Sequence, residues 1–124
     1  MRIEQVNYLS DEEYELATLL QQLGFRRTTS YVLVYLARVG EVSSRDVERG
    51  TGLRQTEVSL AMKELDAWGW VAHEQRKNPG QGWKIKWFRL KISFAKIVTE
   101  IETRKETDAK NQLRQIRKMR DTIA

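Results

Sequence analysis

The fold is decided by the stretch SSRDVERGTGLRQTEVS at residues 43–59. Ser43 and Asp46 are three residues apart, which is the spacing of a reciprocal cap at the start of a helix. Gly50 and Gly52 flank a single threonine, and this pattern predicts a turn that needs backbone freedom. The stretch therefore predicts a short capped helix, a glycine turn and the beginning of a second helix.

The second helix is predicted over residues 54–68, and a basic, glycine-rich hairpin follows it. The buried face of the helix is marked by apolar residues at three- and four-residue spacing, namely Val58, Ala61, Met62 and Leu65. Residues 70–75 predict a strand, residues 76–82 a turn and residues 83–90 the returning strand. This order of elements is the sequence form of a winged helix-turn-helix, so we expect a mainly α fold with a small β-hairpin wing.

Two further helices precede the deciding stretch. Ser10 and Glu13 have the spacing of a capping box and open a helix over residues 11–23. We interpret its leucines as one apolar stripe, formed by Leu16, Leu19, Leu20 and Leu23. The next helix starts at residues 28–30, and residues 31–36 are apolar almost all round, which predicts burial on several sides.

A long helix is predicted at the end of the chain. Ser93 caps it, and from Phe94 to about Thr122 it reaches roughly 40 Å. A small domain cannot cover its distal apolar stripe, so we infer pairing with the same helix of a second copy. The residues assigned to this contact are Ile101, Leu113, Ile116, Met119 and Ile123. We therefore divide the chain into a winged-helix domain at 1–92 and a dimerisation helix at 93–124.

Composition excludes several classes of function. The net charge of +5 favours an anionic partner without choosing among DNA, RNA and a membrane surface. The chain has no cysteine and one histidine, so thiolate and histidine-rich metal sites are excluded and no cofactor is expected. No apolar run approaches the ~20 residues that span a bilayer, and the first residues lack a signal peptide. We expect a cytoplasmic protein that does not contact membranes.

The first residues of the second helix are the candidates for base recognition. The outward set is Arg54, Gln55, Thr56, Ser59 and Lys63. Arginine can bind guanine, glutamine can bind adenine, and the lysine is better placed for phosphate. Glu57 and Leu60 fit less well, since one is negative and the other apolar. Glu57 could accept from cytosine; Leu60 either packs on a thymine methyl or is buried by a shifted register.

The hairpin adds a second set of cations over residues 76–86. The wing set is Arg76, Lys77, Lys84 and Lys86. Beside a recognition helix, such a set favours phosphate contact along the backbone or in the minor groove. Trp70 and Trp87 are expected to pack the sheet against the helices. His73 is interpreted as a structural or exposed residue.

The chain resembles the winged helix-turn-helix regulators of the MarR/TrmB/ArsR type, especially small archaeal versions with a single domain. The resemblance covers roughly residues 25–92 and is carried by residues 31–36, 43–47, 53–59, 69–71 and 88–90. It implies that the recognition set faces a major groove, that the wing lies beside it, and that the last helix dimerises. A Gly-Arg-Pro-like turn is common in relatives, whereas this wing reads GQGWK at 80–84.

The leading hypothesis is a homodimeric, sequence-specific regulator of transcription that binds double-stranded DNA. The alternative is a winged-helix module that binds another protein in a transcription or processing assembly, which Glu57 and Leu60 would favour. RNA binding shares the basic charge but should show exposed stacking aromatics. No nucleophile motif, phosphate-binding glycine loop or metal-ligand spacing is present, so we do not expect an enzyme.

Overall fold

A computed structural model describes residues 8–77, 80 and 82–124. The described residues form five helices and three strands, and they confirm the winged helix-turn-helix with a long C-terminal helix. In chain order the elements are α1 (Asp11–Gln22), α2 (Arg27–Val39), β1 (Val42–Ser43), α3 (Ser44–Thr51), α4 (Gln55–Ala67), β2 (Val71–Lys77), β3 (Lys84–Leu90) and α5 (Phe94–Ile123). The chain divides into two compact units, Met1–Ile92 and Ser93–Ala124. Among these helices, none has the length and apolar content that crossing a membrane requires.

The sheet is antiparallel with the order β1-β3-β2. The hairpin extends further than the sequence predicts, because Arg76 pairs with Ile85 and Lys77 pairs with Lys84 as strand residues. The remaining predicted turn includes Asn78, Pro79 and Gln81, which lie outside the described residues. Strand β1 was not predicted, since two residues give no readable alternation; it adds to the free edge of β3.

Helix α1 confirms the capping box but not the full apolar stripe. The Ser10 hydroxyl accepts from the Glu13 N–H at 3.2 Å, and the Glu13 carboxylate accepts from the Ser10 N–H at 2.9 Å. Of the four predicted stripe residues only Leu20 is buried, while Leu16, Leu19 and Leu23 are 41%, 55% and 42% exposed. The buried face of α1 is instead Glu13, Ala17 and Leu20. On this buried face Glu13 pairs with Arg38 of α2 at 2.8 Å, so the face that α1 turns toward α2 carries an ion pair as well as apolar residues.

Gly50 lies inside α3 rather than in a turn, which corrects the sequence interpretation. Of these two glycines, Gly52 alone has the left-handed conformation, with φ 72°, and it caps the helix. Gly50 is needed for a different reason: a Cβ at this position would lie 2.2 Å from Cε2 of Tyr35. The missing side chain therefore lets α3 approach α2 closely.

The core of the first unit lies between α2 and the elements that follow it. Residues 32–36 of α2 are all buried, as predicted. The predicted inner face of α4 is confirmed, with Val58, Ala61, Met62 and Leu65 at most 5% exposed. Trp70 is fully buried at the start of the hairpin and stacks on Trp68 at 5.0 Å between ring centroids. This packing holds the end of α4 against the start of the hairpin.

Candidate nucleic-acid interface

The start of α4 is capped in a way that removes Glu57 from the outward face. Arg54 is the N-cap residue, and its backbone N–H donates to Oε1 of Glu57 at 3.0 Å. The same carboxylate pairs with Arg27 of α2 at 3.6 Å. A carboxylate at a helix N-terminus is also favoured by the helix dipole. The apparent misfit of a negative residue in a recognition helix is therefore explained by a capping role.

A second acidic residue ties the same side of α4 to α2. Glu64 lies seven residues after Glu57, so the two carboxylates share one side of the helix. Glu64 pairs with Arg26 at 2.9 Å and accepts a hydrogen bond from the Thr29 hydroxyl. Both carboxylates of this side are thus engaged with the beginning of α2, and they fix how α4 is presented.

The five residues predicted for recognition are all exposed. They occupy the N-cap and the outer side of α4: Arg54, Gln55, Thr56, Ser59 and Lys63. Leu60 is also outward, with 55% of its side chain exposed, so the shifted register is wrong. The sequence indicates this exposed face indirectly, because it is the side of the helix opposite the apolar residues Val58, Ala61, Met62 and Leu65. Contact with nucleic acid stays a prediction for each of these residues.

A groove of about 410 Å³ separates α4 from the hairpin. Gln55, Ser59 and Lys63 line one wall, and Lys84 and Lys86 line the other. The groove therefore brings together three recognition residues and two wing residues from separate parts of the chain. Arg54, Thr56, Arg76 and Lys77 do not line it.

Helix α3 contributes residues to this groove that the sequence did not single out. Ser44 and Arg45 lie at the start of α3 and line the groove together with Glu48. Including these, the groove has four basic side chains, Arg45, Lys63, Lys84 and Lys86, and two acidic ones, Glu48 and Asp66. No local pattern marks Arg45 as a groove residue, because its position follows from the packing of α3 against α4.

Arg76 lies apart from the other wing cations. Directly opposed residues of an antiparallel pair share a face, so the pairs Lys77–Lys84 and Gln75–Lys86 place their side chains on the groove face. Arg76 is on the other face, where it pairs with Glu41 and Glu74 and lies 5.0 Å from the ring centroid of Trp87. The guanidinium of Arg76 donates hydrogen bonds to the carboxylates of Glu74 and Glu41, and these bonds raise the pKa of Arg76. Arg76 therefore joins the hairpin to the residue before β1.

The aromatic residues of the hairpin divide between its two faces. Phe88 is buried on the groove face with exposed His73 opposite it, their ring centroids 6.1 Å apart. Trp87 is half-buried on the opposite face, where the guanidinium of Arg76 lies over its ring, and its packing against the helices stays a prediction. Trp83 is 53% exposed and lies at the groove.

The predicted dimerisation residues fall into two classes in α5. Ser93 caps the helix by accepting from the Lys96 N–H at 3.2 Å, as the sequence indicates. Ile101 is only 6% exposed in a single chain, which sets it apart from the other four. The distal residues are all exposed: Leu113 by 52%, Ile116 by 45%, Met119 by 58% and Ile123 by 86%.

Comparison with known proteins gives one family match and several similar folds. Residues 23–82 match the model of the MarR family. A "possible transcriptional regulator" from Methanosarcina mazei Go1 is 13% identical with a TM-score of 0.64, over 87% of this chain and 86% of that one. TrmBL2, an archaeal chromatin protein, is 12% identical with a TM-score of 0.70, over 90% of this chain but 40% of its own.

A mutant MarR from E. coli complexed with operator DNA is 16% identical with a TM-score of 0.50, over 74% of this chain and 64% of that one. At these identities the solved structures share the fold with this chain. Comparison with curated protein sequences gives no match. The family match includes α2, α3, α4 and β2 and ends before β3, so it covers the α3 and α4 sides of the groove but not the wall formed by Lys84 and Lys86. Residues 23–82, just under half of the chain, are therefore similar to the MarR family, and the solved structures share the winged-helix fold with this chain.

Proposed function

We propose that this chain is a homodimeric transcriptional regulator that binds double-stranded DNA with sequence specificity. The observation that carries the proposal is the groove between α4 and the hairpin. Its two walls are lined by exposed polar residues of a capped helix and by lysines of the wing. A polar helix face beside a basic wall suits a duplex, which offers base edges and phosphates side by side.

In this proposal α4 reads the major groove. Arg54, Gln55 and Thr56 contact base edges, because the first residues of such a helix enter most deeply. Ser59 reaches a base or a phosphate, and Lys63 binds a phosphate. The two acidic residues on the side of α4 toward α2 do not repel the DNA phosphates in this arrangement, because Glu57 pairs with Arg27 and Glu64 pairs with Arg26.

The wing contacts the sugar–phosphate backbone through its groove face. Lys77, Lys84 and Lys86 share that face, and Lys84 and Lys86 line the groove opposite α4. We assign Arg76 to holding the wing in place rather than to phosphate, because two carboxylates already engage its guanidinium. Removing such a residue would change the wing's position without removing a DNA contact.

The dimer is assigned to the distal stripe of α5. Leu113, Ile116 and Met119 recur at three-residue spacing and are about half exposed, so a second copy would remove a continuous apolar stripe from water. Two copies would present recognition helices to successive major grooves about 34 Å apart on a near-palindromic site. We expect no catalytic activity, and a cytoplasmic location is part of the same proposal.

The salt dependence of binding tests the proposal. Each phosphate contact contributes about 0.9 to the slope of log K against log salt. In a titration by fluorescence anisotropy, Lys63→Ala should reduce that slope by about 1 per chain. Lys105→Ala, which removes an exposed lysine from the middle of α5, is the control and should leave the slope unchanged. Equal slopes for the Lys63 variant and the control would reject the assigned interface.

The protein-interaction alternative loses one of its two supports. Glu57 is explained by capping and by its ion pair with Arg27. Leu60 remains exposed on the outer side of α4, and its surroundings carry a more specific inference.

A further inference from the structure

Leu60 is an exposed apolar residue on a helix whose outer side is otherwise polar or small. Leu60 is 55% exposed, so the packing of α4 within the chain does not explain why this position is apolar. Single exposed leucines are ordinary on protein surfaces and need no explanation by themselves. This one differs because it lies within the face that the proposed function places in the major groove.

The neighbours of Leu60 form one stripe along the helix. Thr56, Leu60, Lys63 and Ala67 are spaced by four, three and four residues, so they lie one above another, and all four are exposed. Three of these four residues present methyl groups, and Lys63 supplies the only charge. On the side toward α2, Glu57 and Glu64 are held by Arg27 and Arg26. The stripe therefore offers a methyl-rich surface bordered by one cation.

The major groove of DNA has one kind of apolar group, the C5-methyl of thymine, and 5-methylcytosine carries the same group. Leu60 lies six residues beyond Arg54, about 9 Å along the helix at 1.5 Å per residue, so both residues fall within one passage of a groove about 12 Å wide. The basic side chains of the adjoining groove favour a polyanion over an apolar protein as the occupant of this face.

We propose that Leu60, supported by the methyl of Thr56, is a specificity-determining residue that packs on a pyrimidine C5-methyl group within each half-site. This inference rests on the proposed function and deepens it. Discrimination here depends on burying a methyl group rather than on a hydrogen bond. Transfer of one such group from water corresponds to about fourfold in affinity.

The test compares duplexes that differ by one methyl group. A bound sequence is first selected from a random pool, and each thymine is then replaced in turn by uracil, which pairs identically but lacks the methyl. At one position in each half-site, uracil should weaken binding by the wild-type chain about fourfold. At that position a 5-methylcytosine duplex should bind about fourfold more tightly than its cytosine counterpart, and the preferred methylated base identifies the natural source of the methyl.

The variants assign that sensitivity to Leu60. Leu60→Ala should bind the thymine and uracil duplexes equally. Leu19→Ala, which shortens an equally exposed leucine on α1, should keep the fourfold preference. Two results would overturn this inference: selective binding with no methyl-sensitive position, or a methyl preference that persists in Leu60→Ala. Either result would favour a protein partner for this face instead. Absence of any selective duplex binding would instead overturn the proposed function itself.

Discussion

Gly50→Ala should destabilise the winged-helix unit, because α3 touches α2 through this residue. An ideal Cβ at Gly50 lies 2.2 Å from Cε2, 2.4 Å from Cζ and 2.7 Å from the hydroxyl oxygen of Tyr35. The Tyr35 side chain is 3% exposed, so its ring cannot swing into solvent without opening the packing. The clash must therefore be relieved by moving α3 relative to α2.

The size of the effect follows from two opposing terms. Overpacking a close-packed core costs about 1–3 kcal/mol, and three simultaneous contacts place this case near the upper end. Alanine is favoured over glycine inside a helix by about 1 kcal/mol, which offsets part of that cost. We expect the free energy of unfolding to fall by about 2 kcal/mol.

The assay is urea unfolding followed by circular dichroism, at one protein concentration because a dimer makes stability concentration-dependent. Gly82→Ala is the control, since apart from its own chain neighbours no described heavy atom lies within 4 Å of its ideal Cβ. In a Tyr35→Leu background the three clashing atoms are gone, so Gly50→Ala should become neutral or stabilising. If Gly50→Ala is as stable as the parent in the presence of Tyr35, the close approach of α3 and α2 is refuted.

Two more predictions concern Glu13 and the distal stripe. Burial acts to raise the pKa of Glu13, but hydrogen bonds from Ser10 and Arg38 outweigh it and lower the pKa below its ordinary value. The stabilising effect of the Glu13 carboxylate is therefore present at neutral pH and is lost as the pH falls through the lowered folded-state pKa. Glu13→Gln should therefore lower the free energy of unfolding by about 1–2 kcal/mol at pH 7, as measured by urea unfolding. The difference in stability between the variant and the parent should disappear in acid. A difference that does not depend on pH would contradict the pairing of Glu13 with Arg38. Ile116→Asp should give monomers in sedimentation equilibrium, because it places a charge in the stripe, whereas an unchanged dimer would exclude this surface.

Helix boundaries could be predicted because their signals are local. Ser10 with Glu13, and Ser43 with Asp46, form the capping boxes that their spacing indicates. The buried face of α4 is equally local, since four apolar residues recur at helical spacing. These signals require only a few neighbouring residues, so a sequence is enough to read them.

Features that depend on distant partners could not be predicted. The leucines of α1 have helical spacing, but the buried side is the one that carries Ala17 and Leu20 together with Glu13, which pairs with Arg38 of α2. Gly50 has the sequence context of a turn glycine, but its role comes from the close approach of Tyr35. Arg76 has the sequence context of a phosphate-binding wing residue, but in the structure it pairs with Glu41. In each case the deciding residue is remote in the chain.

The same division applies to the candidate interface. The exposure of the recognition set follows from the buried pattern of α4 and was predictable. The groove was not, because it depends on how the hairpin and α3 are placed against α4, and Arg45 enters it for that reason alone. The role of Glu57 also needed its tertiary partner, Arg27.

Selection of bound duplexes from a random pool tests the central claim most directly. The account predicts enrichment of one near-palindromic motif whose half-sites are separated by one helical turn, about 34 Å. It also predicts that Arg54→Ala loses this enrichment while keeping its helical content, since Arg54 is exposed at the N-cap. A pool that shows no enriched motif with the folded parent chain would contradict the account.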